Sequence, residues 1–238
     1  MSDRKVKAMI LAAGRGNRFR PLTDSLPKPL IEVCGKPLIE YHIEKLAQAG
    51  VTEIVINHAW LGQKLEAALG CGDRWGLSIS YSAEPEGGLE TAGGIINALS
   101  LLGDNPFIVI NGDVFSDYPF ANLVDKALEM ASLPTALEES QAHLVLVPCA
   151  EHAPQGDFGL DDLQRVSSQG EATFAGLSVL SPSLFIGMPV DFIKLAPILR
   201  AAMDRQLVTG ELYQGYWSDV GTYDRLEATE KIVCPTRL

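Results

Sequence analysis

The sequence predicts a single α/β domain built on a mostly parallel, mixed sheet with a small antiparallel addition. Two observations indicate this fold class. Short runs of Ile, Val and Leu alternate with amphipathic stretches of helical period, which is the pattern of βαβ units. The apolar runs, such as residues 108–110, are continuous, as expected for strands that helices cover on both faces. A length of 238 residues is sufficient for such a domain and its core.

Six strands and six helices are predicted from these periodicities. The predicted strands are 7–11, 53–57, 78–82, 107–111, 143–147 and 173–180. The predicted helices are 38–49, 61–69, 91–99, 120–131, 195–205 and 223–231. Residues 156–160 and 164–166 predict a small antiparallel hairpin, and the polar stretch 132–141 predicts a loop insertion. No linker rich in Pro, Gly or Ser divides the chain, which favours one domain.

Composition excludes several classes of protein. Lys and Arg number 19 against 30 Asp and Glu, a net charge of -11, whereas sequence-independent nucleic-acid binding needs a basic face. The apolar residues 8–13 are too few for a signal sequence or a membrane span. We therefore expect a cytoplasmic protein with neither nucleic acid nor membrane as a partner. Cys34, Cys71, Cys149 and Cys234 form no C-x-x-C pair, which predicts four free thiols.

A glycine loop follows the first predicted strand, in residues 11–23 (LAAGRGNRFRPLT). Gly14 and Gly16 allow backbone N–H groups to approach a phosphate, and open α/β sheets bind ligands at the carboxyl ends of their strands. Three arginines in the run add cations suited to triphosphate oxygens. The dinucleotide motif G-x-G-x-x-G would need glycine where Phe19 stands, and the motif G-x-x-x-x-G-K-[ST] is absent. On glycine spacing alone, an ordinary turn is the alternative.

The run at 11–23, followed by PKPL at 27–30, resembles the sugar-1-phosphate nucleotidyltransferases. The resemblance extends over nearly the whole chain, to WSDVGT at 217–222. It implies a Rossmann-like nucleotide-diphospho-sugar transferase fold in one domain over 1–238. Residues up to about 115 would then bind the nucleotide and residues from about 116 the sugar, with no hexapeptide-repeat domain.

The resemblance also assigns roles to single residues. In that family the glycine loop wraps the nucleotide phosphates, an arginine stabilises the leaving pyrophosphate, and the PKPL lysine contacts the transferring phosphate. The last two roles fall on Arg18 and Lys28. The nucleotide-binding residues implied are Leu11, Ala12, Ala13, Gly14, Gly16, Arg18, Lys28, Glu90 and Gly93.

Two aspartates are candidates for a metal site. Asp113 follows the strand 107–111 in NGDV, and Asp219 lies in WSDVGT before the last predicted helix. On position alone, such an aspartate is more often a helix cap or a turn residue. The resemblance implies instead that both hold Mg2+, which prefers hard oxygen ligands and commonly takes one or two carboxylates. Arg18, Lys28 and Asp113 are then the expected catalytic residues, for a reaction that needs no protein nucleophile.

Residues 86–94 lie where the family recognises base and sugar, although a flexible loop with a helix start is the plainer alternative. Residues 89–91 resemble the uridylyltransferase members, in particular those that act on N-acetylmuramate 1-phosphate in cell-wall recycling. Similar stretches at 56–61, 156–158 and 194–197 also favour UTP. From its chemistry, Glu90 is able to accept from uracil N3–H, to take two donors from guanine, or to bind a ribose hydroxyl, so the residues leave the base open.

The candidates for binding the sugar 1-phosphate are Asn111, Asp157, Lys194 and Glu211. Lys194 stands where the family places a phosphate-contacting lysine; a solvated surface lysine is the alternative. Many family members have an asparagine before an Ala-Gly pair, whereas this chain has phenylalanine at 174, which leaves room for a bulkier sugar. His58 and Trp60 are either packing residues or a wall of the sugar site.

Several alternatives remain at this stage. Within the class they are a mannose 1-phosphate guanylyltransferase and, after it, a thymidylyltransferase. Outside the class, a regulatory module that binds nucleotide without catalysis would not require two cations and two aspartates together. A scaffold protein would not require a phosphate loop. The oligomeric state is open, with a monomer favoured.

Overall fold

A central mixed sheet of eight strands organises the chain, in a computed structural model that describes residues 5–132, 140–149 and 156–234. The strands are β1 (Lys7–Leu11), β2 (Glu32–Val33), β3 (Lys36–Pro37), β4 (Glu53–His58), β5 (Ser78–Ala83), β6 (Phe107–Asn111), β7 (Val114–Ser116), β8 (Ala142–Pro148), β9 (Phe158–Leu160), β10 (Val166–Leu180), β11 (Val208–Leu212) and β12 (Trp217–Asp219). The α-helices are α1 (Leu38–Gln48), α2 (Gly62–Leu69), α3 (Glu90–Leu102), α4 (Phe120–Ser132), α5 (Leu195–Asp204) and α6 (Tyr223–Val233).

The strand order places the carboxyl ends of four strands side by side. The order is β11-β8-β10-β6-β1-β4-β5, and β9 pairs with β10. β1 is parallel to β4 and β6, and β4 is parallel to β5, whereas β10 runs antiparallel to its neighbours. Chain segments that follow β1, β4, β5 and β6 therefore emerge at one edge of the sheet, where α/β folds bind their ligands.

Successive residues of β1 are buried on opposite faces of the sheet. Ile10 joins a core cluster with residues of α1 and α4, while Met9 joins a second cluster with residues of α3 and α5. Both side chains are 0% exposed. Full burial of a side chain of this size contributes about 1.5–3 kcal/mol. The continuous apolar run of β1 is thus explained by helices on both faces.

The structure confirms the predicted fold class and most predicted elements. β1 and β6 have the predicted bounds, and the six predicted helices are all present with small differences at their ends. The predicted hairpin is β9 against the start of β10, with Leu160 opposite Val166. β10 is longer than predicted because this hairpin strand continues into the sheet strand. Of the predicted loop at 132–141, residue 132 belongs to α4, and 133–139 lie outside the described residues.

The prediction of four free thiols is wrong. Cys34 and Cys234 form a disulfide across 200 residues of sequence, with their Cα atoms 6.3 Å apart. They meet because the end of α6 packs beside the turn between β2 and β3, where the N–H of Cys34 donates to Glu230 Oε1 over 2.9 Å. Cysteine spacing carries no information on such a long-range contact. Cys71 and Cys149 are exposed and are not joined in a disulfide.

None of the described helices has the length and apolar character needed to cross a membrane.

Candidate active site

The glycine loop directly follows β1. Gly16 has a φ of +70°, in the left-handed region that favours glycine. A Cβ built there would lie 3.0 Å from both Lys28 Cβ and Thr23 Cγ2. At Gly14, by contrast, a Cβ would meet no described atom within 4 Å. Gly16 therefore allows the loop to pack on the Lys28 segment, while the space beside Gly14 is accessible to a ligand.

Lys28 and Asp113 form an ion pair at the centre of the site. Lys28 Nζ lies 2.5 Å from Oδ2 of Asp113, which follows β6. The side chain of Lys28 is 11% exposed and that of Asp113 is 37% exposed. An ammonium group has three donors, and this pair uses one of them. Lys28 is therefore able to bind a phosphate oxygen while it keeps its contact with Asp113.

Asp219, from the C-terminal part of the chain, lies next to the segment that contains Asp113. It ends β12, which pairs antiparallel with β7 so that Asp219 lies opposite Val114. The N–H of Val220 donates to the carbonyl oxygen of Asp113 over 2.7 Å. Arg225, in the first turn of α6, forms an ion pair with Asp219. The pairing of two short strands thus makes neighbours of two aspartates that are distant in sequence.

Arg18 lies beside the turn that follows Asp219. A Cβ built on Gly221 would lie 2.8 Å from Nη2 of Arg18 and 2.8 Å from Nη2 of Arg225. Both guanidinium groups therefore pack against the same glycine. With Lys28 they place three cations close to the two aspartates. Guanidinium and ammonium groups in such a cluster suit the charge and geometry of phosphate oxygens.

Two adjoining clefts lie at this edge of the sheet. The lysine cleft, of about 400 Å³, is lined by the glycine loop, Lys28 and the turn that contains Asp113. The tryptophan cleft, of about 630 Å³, is lined by Trp60 and the loop before α3. Leu11, Gly14 and Thr91 line both clefts. The shared lining makes the two clefts neighbouring parts of one binding region.

An aromatic platform forms one wall of the tryptophan cleft. The guanidinium carbon of Arg15 lies 3.4 Å from the ring centroid of Trp60, whose Nε1 donates to the carbonyl oxygen of Thr23 over 3.0 Å. Elsewhere in the lining, Glu90 is exposed and has a φ of +61° at the start of α3. A left-handed residue other than glycine costs about 1–3 kcal/mol and is typical of functional loops. His58, which the sequence grouped with Trp60, instead pairs with Glu66 at 2.7 Å.

The clefts bring together most of the residues that the sequence predicts for nucleotide binding. The predicted residues in their lining are Leu11, Ala12, Ala13, Gly14, Gly16, Arg18, Lys28, Glu90, Asn111 and Asp113. Asp219 adjoins them through Asp113. Gly93 lines neither cleft; a Cβ there would overlap the carbonyl oxygen of Asp191, so this glycine allows α3 to pack closely on the segment before α5.

Three residues predicted for the sugar lie outside the lining of both clefts. Asp157 Oδ2 accepts from the N–H of Phe174 over 2.9 Å, which ties the β9 segment to β10. Lys194 is exposed and immediately precedes α5. Glu211 lies within β11. Their assignment as sugar ligands stays a prediction.

Glu211 belongs to a polar network on the α4 side of the sheet. Tyr118 donates its hydroxyl hydrogen to Glu211 Oε1 over 2.5 Å, and His143 Nε2 lies 3.4 Å from the same oxygen. The hydrogen bond with His143, followed by that with Tyr118, holds the pKa of Glu211 below its usual range despite partial burial. Burial and the neighbouring carboxylate raise the pKa of Tyr118. The network keeps Glu211 charged and Tyr118 neutral.

Sequence reasoning missed Asn57, Glu84 and Arg225. Asn57 and Glu84 line the tryptophan cleft, and Arg225 contacts Asp219. One signal was present for Asn57, because it is a polar residue at the end of the predicted strand 53–57. Nothing in the local sequence indicates the partners of Glu84 or Arg225, because both contacts depend on how distant segments pack. Phe192 also lines the tryptophan cleft from the second half of the chain.

This fold and this site define a nucleotidyltransferase, and comparison with known proteins agrees. Residues 7–143 match the model of the Nucleotidyl transferase family. The chain belongs to this family, whose members generally use a divalent metal ion. The class of enzyme predicted from the sequence is therefore confirmed.

Relatives that match most of the chain have the names of enzymes that act on sugar phosphates. The chain is 51% identical to the N-acetylmuramate alpha-1-phosphate uridylyltransferase of Neisseria meningitidis serogroup B, over 95% of this chain and 98% of the relative. It is 36% identical to the mannose-1-phosphate guanyltransferase of Hypocrea jecorina, over 91% of this chain but 61% of that longer relative. A Bacillus anthracis structure described as a putative glucose-1-phosphate thymidylyltransferase, in complex with sucrose, shares the fold. Its TM-score is 0.83 at 19% identity, covering 98% of this chain and 97% of that one.

Proposed function

We propose that this chain couples UTP to N-acetylmuramate 1-phosphate, giving UDP-N-acetylmuramate and pyrophosphate. The observation that carries the chemistry is the convergence of two cations and two aspartates at one edge of the sheet. These residues are Arg18, Lys28, Asp113 and Asp219. Transfer of a nucleotidyl group is catalysed mainly by positioning and by charge stabilisation, which is what such a cluster supplies.

In the proposed reaction an oxygen of the sugar 1-phosphate attacks the α-phosphorus of UTP. A new phosphorus–oxygen bond forms while the bond to the bridging oxygen breaks, and this oxygen leaves with its electron pair in pyrophosphate. The attacking oxygen is already ionised, so no protein nucleophile is needed. Lys28 stabilises charge on the transferring phosphate, and Arg18 stabilises the leaving pyrophosphate.

The residues present fit Mg2+ as the divalent ion. Asp113 and Asp219 supply two carboxylates beside the paired strands β7 and β12. Within the described parts of the chain, no group of three or more His, Cys, Asp or Glu side chains forms a closed metal site. Mg2+ commonly takes one or two carboxylates and completes its shell with water and phosphate. When bound, it would supply positive charge that stabilises phosphate oxygens.

The choice of UTP and of N-acetylmuramate 1-phosphate is supported by the relative from Neisseria meningitidis, which shares 51% of its residues over nearly the whole of both chains. The tryptophan cleft offers the proposed base site, with Glu90 in its lining. For the sugar, we retain Asn111, Asp157, Lys194 and Glu211 as candidates; Asn111 lines the lysine cleft.

A mannose 1-phosphate guanylyltransferase is the second candidate. It is favoured by the 36% identity to the Hypocrea jecorina enzyme over 91% of this chain. Glu90 is chemically able to accept two hydrogen bonds from guanine. The lower identity places this candidate behind the uridylyltransferase.

We also propose that residues up to about 115 form the nucleotide-binding part and residues from about 116 the sugar-binding part. Both clefts are lined by the first part, apart from Phe192 and Gly221, which supports the first half of this division. A cytoplasmic location, in keeping with a nucleoside triphosphate as substrate, and a monomeric state complete the proposal.

The test is pyrophosphate release by purified protein with Mg2+ in a grid of substrates. UTP, GTP and dTTP are each combined with the 1-phosphates of N-acetylmuramate, N-acetylglucosamine, glucose and mannose. A peak with UTP and N-acetylmuramate 1-phosphate is expected. A peak with GTP and mannose 1-phosphate would keep the chemistry and overturn the substrates. Binding of nucleotide without turnover in any combination would favour a regulatory module. Asp113→Asn protein serves as the control for contaminating activity.

A further inference from the structure

Asn57 joins the glycine loop to the loop that precedes α3. It is 3% exposed and lies between its neighbours in β1 and β5. Its Oδ1 accepts from the N–H of Ala12 over 2.8 Å, and its Nδ2 donates to Oε1 of Glu84 over 2.5 Å. This orientation of the amide satisfies both partners, because an N–H needs an acceptor and a carboxylate needs a donor.

Glu84 continues the connection from Asn57. Its backbone N–H donates to the carbonyl oxygen of His58 over 2.8 Å, which fixes Glu84 beside the end of β4. Its second carboxylate oxygen, Oε2, accepts from the N–H of Leu89 over 2.8 Å. Leu89 precedes Glu90, the left-handed residue that begins α3. One carboxylate oxygen of Glu84 therefore serves Asn57, and the other holds the loop before α3.

Helix α3 leaves space for this pair of side chains at Gly94. A Cβ built there would lie 2.8 Å from Asn57 Nδ2 and would overlap Glu84 Oε1. Glycine is unfavourable inside a helix compared with alanine. Its presence opposite both polar groups is therefore explained by the close packing of the Asn57–Glu84 pair against the helix.

We propose that Asn57 is a positioning residue that acts through Glu84 to hold the base of the nucleotide in register with its phosphates. The proposal rests on the proposed function, in which the glycine loop binds the phosphates and the tryptophan cleft, with Glu90 in its lining, binds the base. Four groups are hydrogen-bonded in series: the N–H of Ala12, the Asn57 amide, the Glu84 carboxylate and the N–H of Leu89. This series fixes the distance between the glycine loop and the loop before α3. A change in that distance misaligns the α-phosphorus for attack.

The test exchanges the two polar groups. In Asn57→Asp, a new carboxylate oxygen faces Glu84 Oε1, so two acceptors meet. In Glu84→Gln, the new amide NH2 group faces Asn57 Nδ2 or the N–H of Leu89, so two donors meet. Each single variant is expected to raise the Kd and KM for the nucleotide about 10- to 100-fold, as for loss of a hydrogen bond to a charged group.

The double variant, which combines Asn57→Asp with Glu84→Gln, is expected to recover binding. The introduced aspartate accepts from the N–H of Ala12 and from the introduced glutamine amide, whose oxygen accepts from the N–H of Leu89. All four partners and the net charge are restored, so the Kd should return to within about threefold of the native value.

Asn97→Asp is the matched control. Asn97, in α3, lines neither cleft; its Nδ2 donates to Ser82 Oγ over 3.0 Å and to the carbonyl oxygen of Ala83 over 3.2 Å. The variant therefore adds a carboxylate near the end of β5 without changing a hydrogen bond of Asn57 or Glu84. Its nucleotide Kd should be unchanged. Failure of the double variant to recover binding would overturn the proposal and would indicate that the Glu84 carboxylate contacts the nucleotide directly. Native-like binding in both single variants would overturn it as well.

Gly94→Ala gives a second route should Asn57→Asp fail to fold. Its methyl group displaces Glu84 while all four polar groups are kept, and weaker nucleotide binding is expected; unchanged binding would contradict the proposal. Kd values are measured by calorimetry in the absence of sugar 1-phosphate. If the native protein binds nucleotide but does not turn over UTP and N-acetylmuramate 1-phosphate, the proposed function is wrong. The binding measurements on the variants would still test the role of Asn57.

Discussion

The ammonium group of Lys28 acts at short range in a setting that excludes much of the water. It lies 2.5 Å from Asp113 Oδ2, and its side chain is 11% exposed. The interaction of two charges strengthens several-fold when the effective dielectric constant falls from that of water to that of a protein surface. Lys28 is therefore better placed to stabilise charge on a phosphate than an exposed lysine would be.

Lys28→Ala should lower kcat/KM about 10²- to 10³-fold, the usual cost of losing one stabilising group at a reacting centre. The free energy of unfolding should fall by only about 1 kcal/mol, because Asp113 is partly exposed and water replaces the lost partner. Lys36→Ala is the matched control, since Lys36 forms a comparable pair with Glu44 at 2.6 Å outside both clefts. A Lys28→Ala protein that has a clearly lower melting temperature but keeps its activity would indicate a structural role instead.

Asp113→Asn should lower turnover at least about 10³-fold with Mg2+ and leave the melting temperature within a few degrees, because it removes one charge needed for the metal and keeps the side chain's shape. Asp117→Asn is the control. That aspartate accepts from the hydroxyl of Tyr213 over 2.5 Å and lines neither cleft. Near-normal turnover by Asp113→Asn would contradict the assignment of this carboxylate to the metal.

At the scale of elements, Gly14 and Gly16 have different roles in the glycine loop. Gly16 is left-handed and packed against Lys28 and Thr23, whereas Gly14 has open space where a Cβ would stand. Gly16→Ala should lose about 1–2 kcal/mol of stability from its backbone conformation. Gly14→Ala should melt like the native protein but bind UTP more weakly, because its methyl group would occupy the space proposed for a phosphate. Thermal melting and calorimetry together check this contrast; equal stability loss in both variants would refute it.

The predictability of each element follows from the strength of its local signal. The apolar runs of β1 and β6 are continuous, and their bounds were predicted. β11 (VTGEL) has no such run, and it forms because its backbone pairs in parallel with β8. β7 and β12 are three residues each and exist through pairing with one another. Asp113 and Asp219 beside them were predicted from motifs, but the pairing depends on tertiary contacts that no local pattern contains.

At the scale of the whole molecule, the proposed site combines residues proposed to carry the chemistry with residues proposed to hold them in place. Lys28 and Asp113 were predicted because the motifs that contain them, PKPL and NGDV, resemble those of a known family. Asn57 and Glu84 were not, because their importance lies in contacts between β4, the segment after β5 and the glycine loop. A polar residue near the carboxyl end of an apolar run, as Asn57 is in β4, is the one local signal of such a contact.

His42 connects the protein's stability to pH. Its side chain is buried in α1 against Phe120, and its Nε2 has no hydrogen-bond partner among the described residues. Burial, assisted by the charge of Lys45, lowers the pKa of His42 from 6.5 to about 4. In the unfolded chain this histidine gains a proton as the pH falls below 6.5, while in the folded protein it stays neutral until about pH 4. The unfolded state therefore binds more protons in this window, and stability must fall as the pH is lowered through it.

Replacing His42 with Leu or Met should remove this part of the acid sensitivity. The native protein is expected to lose up to roughly 3 kcal/mol between pH 6.5 and pH 4 through this one group. Both variants should show a correspondingly shallower fall in the free energy of unfolding over the same range, whatever their stability at pH 7. Urea denaturation at half-unit steps of pH measures the slopes, and carboxylate titrations common to all three proteins cancel in the comparison. Identical slopes in native and variant proteins would mean that His42 titrates normally in the fold and that its site admits the charged form.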